Sequence, residues 1–193
     1  MKPKANVAPP RKPTLKFKLD STLIKPEHVA IFSSWIDKKD SSHYNNKNIP
    51  YKFNLLYRAN RDGNSAAPFH EKCDNKGATV VVAKIQNSEK IVGGYNPLFW
   101  DLSNNYKSTN DSFIFSFTDR NNLQSAKVGY CNNNRDVVGC YPNYGPLFGA
   151  GNDLRFYNGD WRGKPQSYPK VDDIQNGNDF NVDDYEVFQV VKM

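Results

Sequence analysis

The sequence has few cysteines and no long apolar run, and each shortage excludes a class of protein. Only three of the 193 residues are cysteine, Cys73, Cys131 and Cys140, and no Cys-x-x-Cys pair occurs. Small secreted domains depend on several disulfides, so three thiols favour a reduced, intracellular and cytoplasmic protein. No stretch approaches the roughly 20 apolar residues of a membrane-spanning helix. The basic start, residues 1–13, also lacks the apolar segment of a secretory signal.

Ligand patterns for metals and nucleotides are missing as well. The three histidines, His28, His43 and His70, stand far from any second ligand at zinc spacing. The glycine pair Gly93-Gly94 is not followed by the Lys-Ser/Thr of a phosphate loop, so it indicates a bulge or a close backbone approach. We therefore predict neither a metal nor a cofactor.

Acidic residues crowd the C-terminal region without the regular oxygen spacing of a calcium loop. We interpret them as a solvated acidic edge that a partner protein, or the basic N-terminal segment, could contact. They are Asp172, Asp173, Asp179, Asp183, Asp184 and Glu186.

The net charge of +6 belongs to one end of the chain. Residues 1–18 carry six of the 26 basic residues and no acid, which leaves 20 bases to balance all 20 acids in residues 19–193. A folded nucleic-acid-binding domain carries a basic face of its own, so this balance argues against a nucleic acid as partner. Prolines and like charges extend the start of the chain. We predict a flexible linker over residues 1–20 and one folded domain over residues 21–193.

The periodicity of the apolar residues predicts one helix followed by many strands. Val29, Phe32 and Ile36 recur at helical spacing, and Lys38 and Lys39 are expected in the last turn. Many short strands separated by turn signals favour a mainly β fold, a sandwich or a barrel. The predicted strands are 53–58, 79–85, 91–95, 113–117, 127–130, 154–157 and 185–191.

Three further features are assigned to local structure. A second short helix is predicted over residues 65–73, with Ser65 as its N-cap. Trp100 is interpreted as a packing anchor. The glycine-rich stretch 144–151 has too little charge for nucleotide binding, and we interpret it as a constrained loop under the sheet.

The segment Arg58-x-x-Arg61-Asp62-Gly63 lies where a strand gives way to a helix. Gly63 can supply a positive φ for the turn, and Asp62 can accept backbone N–H bonds there. The two guanidinium groups can bind carboxylates in a planar, two-pronged geometry. Two interpretations stay open, a salt-bridged turn that fixes the helix entry and a binding site for an anion or a partner's carboxylate.

The segment 69–74 allows a catalytic interpretation. On a helix, His70 and Asp74 share one face as a base and its orienting acid would, and Cys73 lies three residues from His70. Lys72 and the nearby turn could lower the pKa of the Cys73 thiol. No nucleophile elbow accompanies these residues, and core packing explains Cys73 equally well.

Six motifs in order resemble the TLDc domain of the oxidation-resistance protein family. The resemblance runs from about residue 21 to residue 191. The motifs are LLYRANRDG (55–63), FHEKCD (69–74), GGYNPLFW (93–100), DSFIFSF (111–117), YGPLFG (144–149) and DDYEVF (183–188). The proline-containing start and the SSWID segment (33–37) make the chain most similar to fungal proteins in which a BTB domain precedes TLDc.

The resemblance implies a two-sheet antiparallel β-sandwich with a few short helices. It also implies a role in resistance to oxidative stress and, as in several members, binding to the V-ATPase. The family brings no accepted catalytic machinery. The resemblance implies that the residues with a suspected functional role are Arg58, Arg61, Asp62, His70 and Glu186.

The leading hypothesis is a non-enzymatic interaction domain whose partner is a protein, with Arg58, Arg61 and Asp62 as the binding residues. One alternative is an enzyme that handles peroxide or hydrolyses a substrate, for which His70, Cys73 and Glu186 are the catalytic candidates. Another is a carbohydrate-binding sandwich, because Asn, Asp, Gly and exposed Trp or Tyr suit sugar recognition.

Overall fold

The computed structural model describes residues 18–132 and 135–193, so most of the predicted linker lies outside the described residues. The helices are α1 (Pro26–Ile36), α2 (Ala59–Asp62) and α3 (Ala66–Cys73), with one 3₁₀ turn at Leu123–Ser125. Within the described part of the chain, no helix has the length and apolar character needed to cross a membrane.

Sheet 1 has six antiparallel strands. Its spatial order is β1 (Tyr51–Arg58), β12 (Val182–Lys192), β2 (Thr79–Ile85), β3 (Ile91–Asn96), β5 (Phe113–Phe117) and β6 (Ala126–Tyr130). The long C-terminal strand β12 therefore lies between the first two strands of the domain. This placement brings residues 51–58 next to residues 186–192.

Sheet 2 has six shorter antiparallel strands. Its spatial order is β11 (Asp179–Phe180), β10 (Asp160–Arg162), β9 (Leu154–Tyr157), β8 (Tyr144–Phe148), β7 (Val138–Cys140) and β4 (Asn105–Lys107). The interpretation of residues 144–151 as a loop was wrong for the first five of them, which form β8. The glycine and proline in this strand hid its β character, although Leu147 and Phe148 are both buried.

Sheet 1 is buried on both faces. One face packs against sheet 2, where Val81 and Val187 meet Phe148 and Trp161 in a shared core. The other face packs under α1 in a second core. This double burial explains why β2 is a nearly continuous apolar run, as the sequence indicated. The two-sheet sandwich with few helices is thus confirmed.

The helix α1 begins at Pro26 and supplies the second core with aromatic rings. Phe32 lies 4.6 Å from the ring of Phe115, centroid to centroid. The helix ends at Ile36, so the expected place of Lys38 and Lys39 in its last turn was wrong. Lys38 has a positive φ of 54° and instead pairs with Asp111.

Gly94 allows the two sheets to approach closely, and Gly93 leaves room within sheet 1 for the ring of Phe115. A Cβ atom at Gly94 would lie 2.7 Å from the ring of Phe148, which crosses from sheet 2. The pairing of β3 with β2 is regular through both glycines. Of the two predicted roles, close backbone approach is therefore confirmed, whereas a bulge was wrong.

Candidate functional site

Glu186 is a fully buried carboxylate at the centre of the residues that the motifs single out. It lies on β12 and is paired with Arg58 of β1. Arg58 Nε donates to its Oε1 at 2.7 Å, and Thr22 donates to the same oxygen from its backbone N at 2.9 Å and from its hydroxyl at 3.1 Å. The Ser21 hydroxyl donates to Oε2. Both carboxylate oxygens are thus occupied by groups of the chain itself.

Arg58 joins three parts of the chain. Besides Glu186, its Nη2 donates to the Asp20 carboxylate at 3.1 Å. Burial acts to lower the pKa of the Arg58 guanidinium, but the hydrogen bond and charge of Glu186 outweigh it, and the pKa is raised. The pair therefore ties residues 20–22 to the two strands at the edge of sheet 1.

The turn after β1 is built around Asp62. Its Oδ2 accepts the backbone N–H of Arg58 at 2.9 Å, which closes the short helix α2. Arg61 donates to both carboxylate oxygens, at 2.9 Å and 2.7 Å, and this hydrogen bonding lowers the pKa of Asp62. Gly63 follows with a φ of 107°, which glycine adopts readily. The salt-bridged turn predicted from the sequence is therefore present.

Arg61 differs from Arg58 in its exposure. The Arg61 side chain is 45% exposed, whereas that of Arg58 is 16% exposed. Arg58 and Asp62 hold the turn, and Arg61 carries its guanidinium to the surface. Of the three residues proposed to bind a partner, Arg61 is the one that a partner can reach most easily.

His70 fastens α3 to sheet 2. Its Nδ1 lies 2.8 Å from Asp74 Oδ1, so the two residues share a helix face as their spacing indicated. Its Nε2 lies 2.8 Å from the carbonyl oxygen of Tyr144 and 3.1 Å from that of Tyr141. Because carbonyl oxygens only accept, Nε2 carries a proton and donates. Both ring nitrogens are therefore directed at groups of the chain.

Cys73 lies in the core between the sheets and is completely buried. Burial raises the pKa of its thiol, so the lowering effect expected from Lys72 was wrong. Lys72 is paired with Glu71. No hydrogen bond among the described residues joins Cys73 to His70, although they are three apart on α3.

The C-terminal acids do not form a uniformly solvated edge, and that interpretation was wrong. Asp172, Asp184 and Glu186 are buried. Asp172 pairs with Lys90 at 2.8 Å, and Asp184 accepts the backbone N–H of Asn60 at 3.0 Å. In the described ranges 18–132 and 135–193, no three His, Cys, Asp or Glu side chains gather closely enough to hold a metal ion.

Several of these contacts have no local signal in the sequence. Ser21 and Thr22 are separated from Glu186 by 165 and 164 positions. The acceptors of His70 Nε2 are backbone carbonyls, which any residue type supplies. The pairing of β1 with β12 brings Arg58 next to Glu186, and residue identity does not reveal that pairing.

Comparison with known proteins agrees with the motifs. A search of curated proteins finds no matching relative. The family model described as TLDc domain matches residues 17–191, which is most of the chain. The chain belongs to the TLDc domain family.

Proposed function

We propose that this chain is a non-enzymatic interaction domain that supports resistance to oxidative stress by binding the V-ATPase. The partner and the stress role follow from what the family resemblance implies. The observation that carries the non-enzymatic part is the occupied, buried carboxylate of Glu186. A general acid or nucleophile has to reach a substrate, whereas this group is fully enclosed by Ser21, Thr22 and Arg58.

The other candidate residues support the same proposal. A nucleophilic cysteine needs its thiolate form, and burial disfavours that form at Cys73. The nitrogens of His70 are engaged by Asp74 and by two carbonyl oxygens. These groups fix the strands and α3, and a rigid scaffold of this kind suits recognition by a partner.

The turn of residues 58–63 is the surface that we assign to the V-ATPase. Arginine is enriched at protein interfaces because its planar guanidinium binds carboxylates at two points. Arg61 is exposed, and Asp62 holds it in place through Nε and Nη2, so that Nη1 is the nitrogen offered to a partner's carboxylate. A side chain fixed in this way loses little entropy on binding.

Co-purification of the full chain with V-ATPase tests the proposal. Arg61→Glu is expected to reduce the recovered V-ATPase by about tenfold or more, because charge reversal opposes a carboxylate partner. Arg58 is unsuitable for this test because it holds the buried Glu186. The matched control is Lys164→Glu, which reverses the charge of another exposed side chain.

The results separate the partner from the surface. If Arg61→Glu reduces the recovered V-ATPase while Lys164→Glu does not, and the melting temperatures are unchanged, both the partner and the binding surface are supported. Full recovery with Arg61→Glu rejects the turn as the binding surface. No recovery of V-ATPase by the unaltered chain rejects the partner.

A further inference from the structure

We propose that a row of four tyrosines on the outer face of sheet 2 binds a proline-rich segment of a partner protein that also carries a basic residue. The row, here called the tyrosine row, consists of Tyr106, Tyr141, Tyr144 and Tyr157. The proposal rests on the proposed function as an interaction domain and names a second surface and its ligand chemistry.

The strand pairing of sheet 2 places the four side chains side by side. Tyr144 of β8 is paired with Tyr157 of β9, and cross-strand partners share one face of a sheet. Phe156 lies in the core between the sheets, so its neighbour Tyr157 points away from sheet 1. Tyr141 lies between β7 and β8, and Tyr106 lies on β4, next to β7. The row therefore crosses sheet 2 from β9 to β4, over about 14 Å at the usual strand spacing.

The four rings form clefts and not a flat platform. The ring centroids are 5.3 Å apart between Tyr106 and Tyr141, and 5.9 Å apart between Tyr141 and Tyr144. The planes of these two pairs are inclined by 71° and 61°. Tyr157 continues the row at 4.6 Å from Tyr144. Inclined rings leave clefts of the kind in which polyproline ligands dock, and they offer no common plane on which a sugar chain would lie.

The hydroxyl groups of the row are hydrogen-bond donors that the fold does not use. Other tyrosines serve the fold, since Tyr57 and Tyr130 donate to backbone carbonyls and Tyr51 donates to Asp37. None of the four hydroxyls in the row bonds to another residue within ranges 18–132 and 135–193, and none is enclosed without a partner. A polyproline helix has carbonyl oxygens without internal partners, and its prolines have no N–H. Tyrosine donors therefore match its backbone.

The row is accessible, and its centre is fixed in place. Tyr157 is 37% exposed, and the other three side chains are half-buried. His70 Nε2 donates to the carbonyl oxygens of Tyr141 and Tyr144, and Tyr144 N donates to Tyr141 O at 3.0 Å. Because this turn is ordered before a partner arrives, binding loses little entropy there. His70 is thus a positioning residue for the two central tyrosines.

An exposed carboxylate lies at one end of the row. Asp160 of β10 is paired with Tyr157 and forms no ion pair within the described part of the chain. The neighbouring Arg155 and Arg162 both approach Asp179, at 3.7 and 2.7 Å, so that acid is the one they share. A basic residue next to the prolines of a ligand would therefore meet Asp160.

Nuclear magnetic resonance on the full chain with isotope-labelled tyrosine rings tests the proposal. The probe is an octapeptide in which two Pro-Pro-Ala repeats are followed by Pro-Arg, and the matched peptide has alanine in place of every proline. We expect the proline peptide to shift the ring signals of the tyrosine row. We expect the alanine peptide to bind at least about tenfold more weakly, because it is not held in the polyproline conformation.

Matched substitutions locate the site. Tyr157→Ala is expected to weaken the proline peptide about tenfold, because it removes the most exposed ring of the row. Tyr44→Ala, in the loop after α1, is expected to change the Kd by less than about twofold. Asp160→Lys is expected to weaken the peptide about fivefold, whereas Asp40→Lys in the loop after α1 has less than about a twofold effect. Equal effects at the matched positions, at unchanged melting temperatures, would overturn the proposal.

Three other results would also overturn it. Equal binding of the two peptides would show that the row does not recognise polyproline. Ring shifts with cellohexaose but not with the proline peptide would assign the row to a sugar. The chain's own residues 9–13 read Pro-Pro-Arg-Lys-Pro. If alanine at Pro9, Pro10 and Pro13 strengthens the peptide about fivefold or more, that segment is the occupant; an unchanged Kd supports a partner.

The two proposals fail independently. The peptide titration contains no V-ATPase, so its failure leaves the result for Arg61→Glu unaffected. Conversely, a chain that does not recover V-ATPase can still bind the proline peptide at the tyrosine row.

Discussion

Arg58→Ala is expected to lower the free energy of unfolding by about 3–5 kcal/mol, because it leaves the buried Glu186 carboxylate without its cation. Glu186 is fully buried, and Arg58 Nε donates to it at 2.7 Å. The remaining donors, from Ser21 and Thr22, are uncharged and cannot replace the ion pair. The same substitution also releases Asp20 from the edge of sheet 1.

Urea unfolding of the variant and of two companions measures this effect. Arg61→Ala removes an exposed partner of Asp62 and is expected to cost less than about 1 kcal/mol. Adding Glu186→Gln to Arg58→Ala is expected to restore part of the loss, because the amide needs no cation. A cost for Arg58→Ala no larger than that for Arg61→Ala would contradict the structural role of the pair.

Trp100→Ala is the second substitution with a large expected effect, again about 3–5 kcal/mol of destabilisation. The Trp100 side chain is completely buried and lies edge-on to the rings of Phe69 and Phe148, at 5.5 and 5.6 Å. Its Nε1 donates to the Thr79 hydroxyl at 2.8 Å. The indole therefore joins α3, sheet 1 and sheet 2, and its loss leaves a cavity where all three meet.

The neighbouring Phe99 provides a control in thermal or urea unfolding. Phe99 is 43% exposed, and the ammonium of Lys107 lies over its ring in a cation–π contact. Phe99→Ala is therefore expected to lower the free energy of unfolding by less than about 1 kcal/mol. Similar costs at the two positions would show that Trp100 is not a packing anchor. All three tryptophans of the chain are buried, so none of them offers an exposed indole for sugar stacking.

The sequence predicted most of the strands of sheet 1 because their apolar patterns are strong. Residues 79–85 and 113–117 were both identified, and the structure buries them from both sides. Sheet 2 was harder to predict. Its strands β4, β7 and β10 have three residues each, too few for alternation to stand out. In β8, Gly145 and Pro146 interrupt the pattern.

The site was predicted only in its local part. The turn at Asp62 and the contact of His70 with Asp74 follow from spacing along one element. The contact of Glu186 with Arg58 depends on the pairing of β12 with β1, and its contacts with Ser21 and Thr22 come from the segment before α1, far away in the sequence. The acidic residues near the C-terminus were predicted to be exposed because no local pattern reveals their partners. Asp183 pairs with Lys84, and Asp172 pairs with Lys90. Asp184 accepts the backbone N–H of Asn60.

Peroxide consumption by the purified full chain tests the central claim most directly, that the reactive side chains of the motifs serve the fold. We predict a rate no greater than that of free cysteine at equal thiol concentration, because the Cys73 thiol is buried and its pKa is raised. We also predict the same rate for Cys73→Ala and His70→Ala. Catalytic turnover that is lost in both variants while their circular dichroism stays unchanged would contradict the claim.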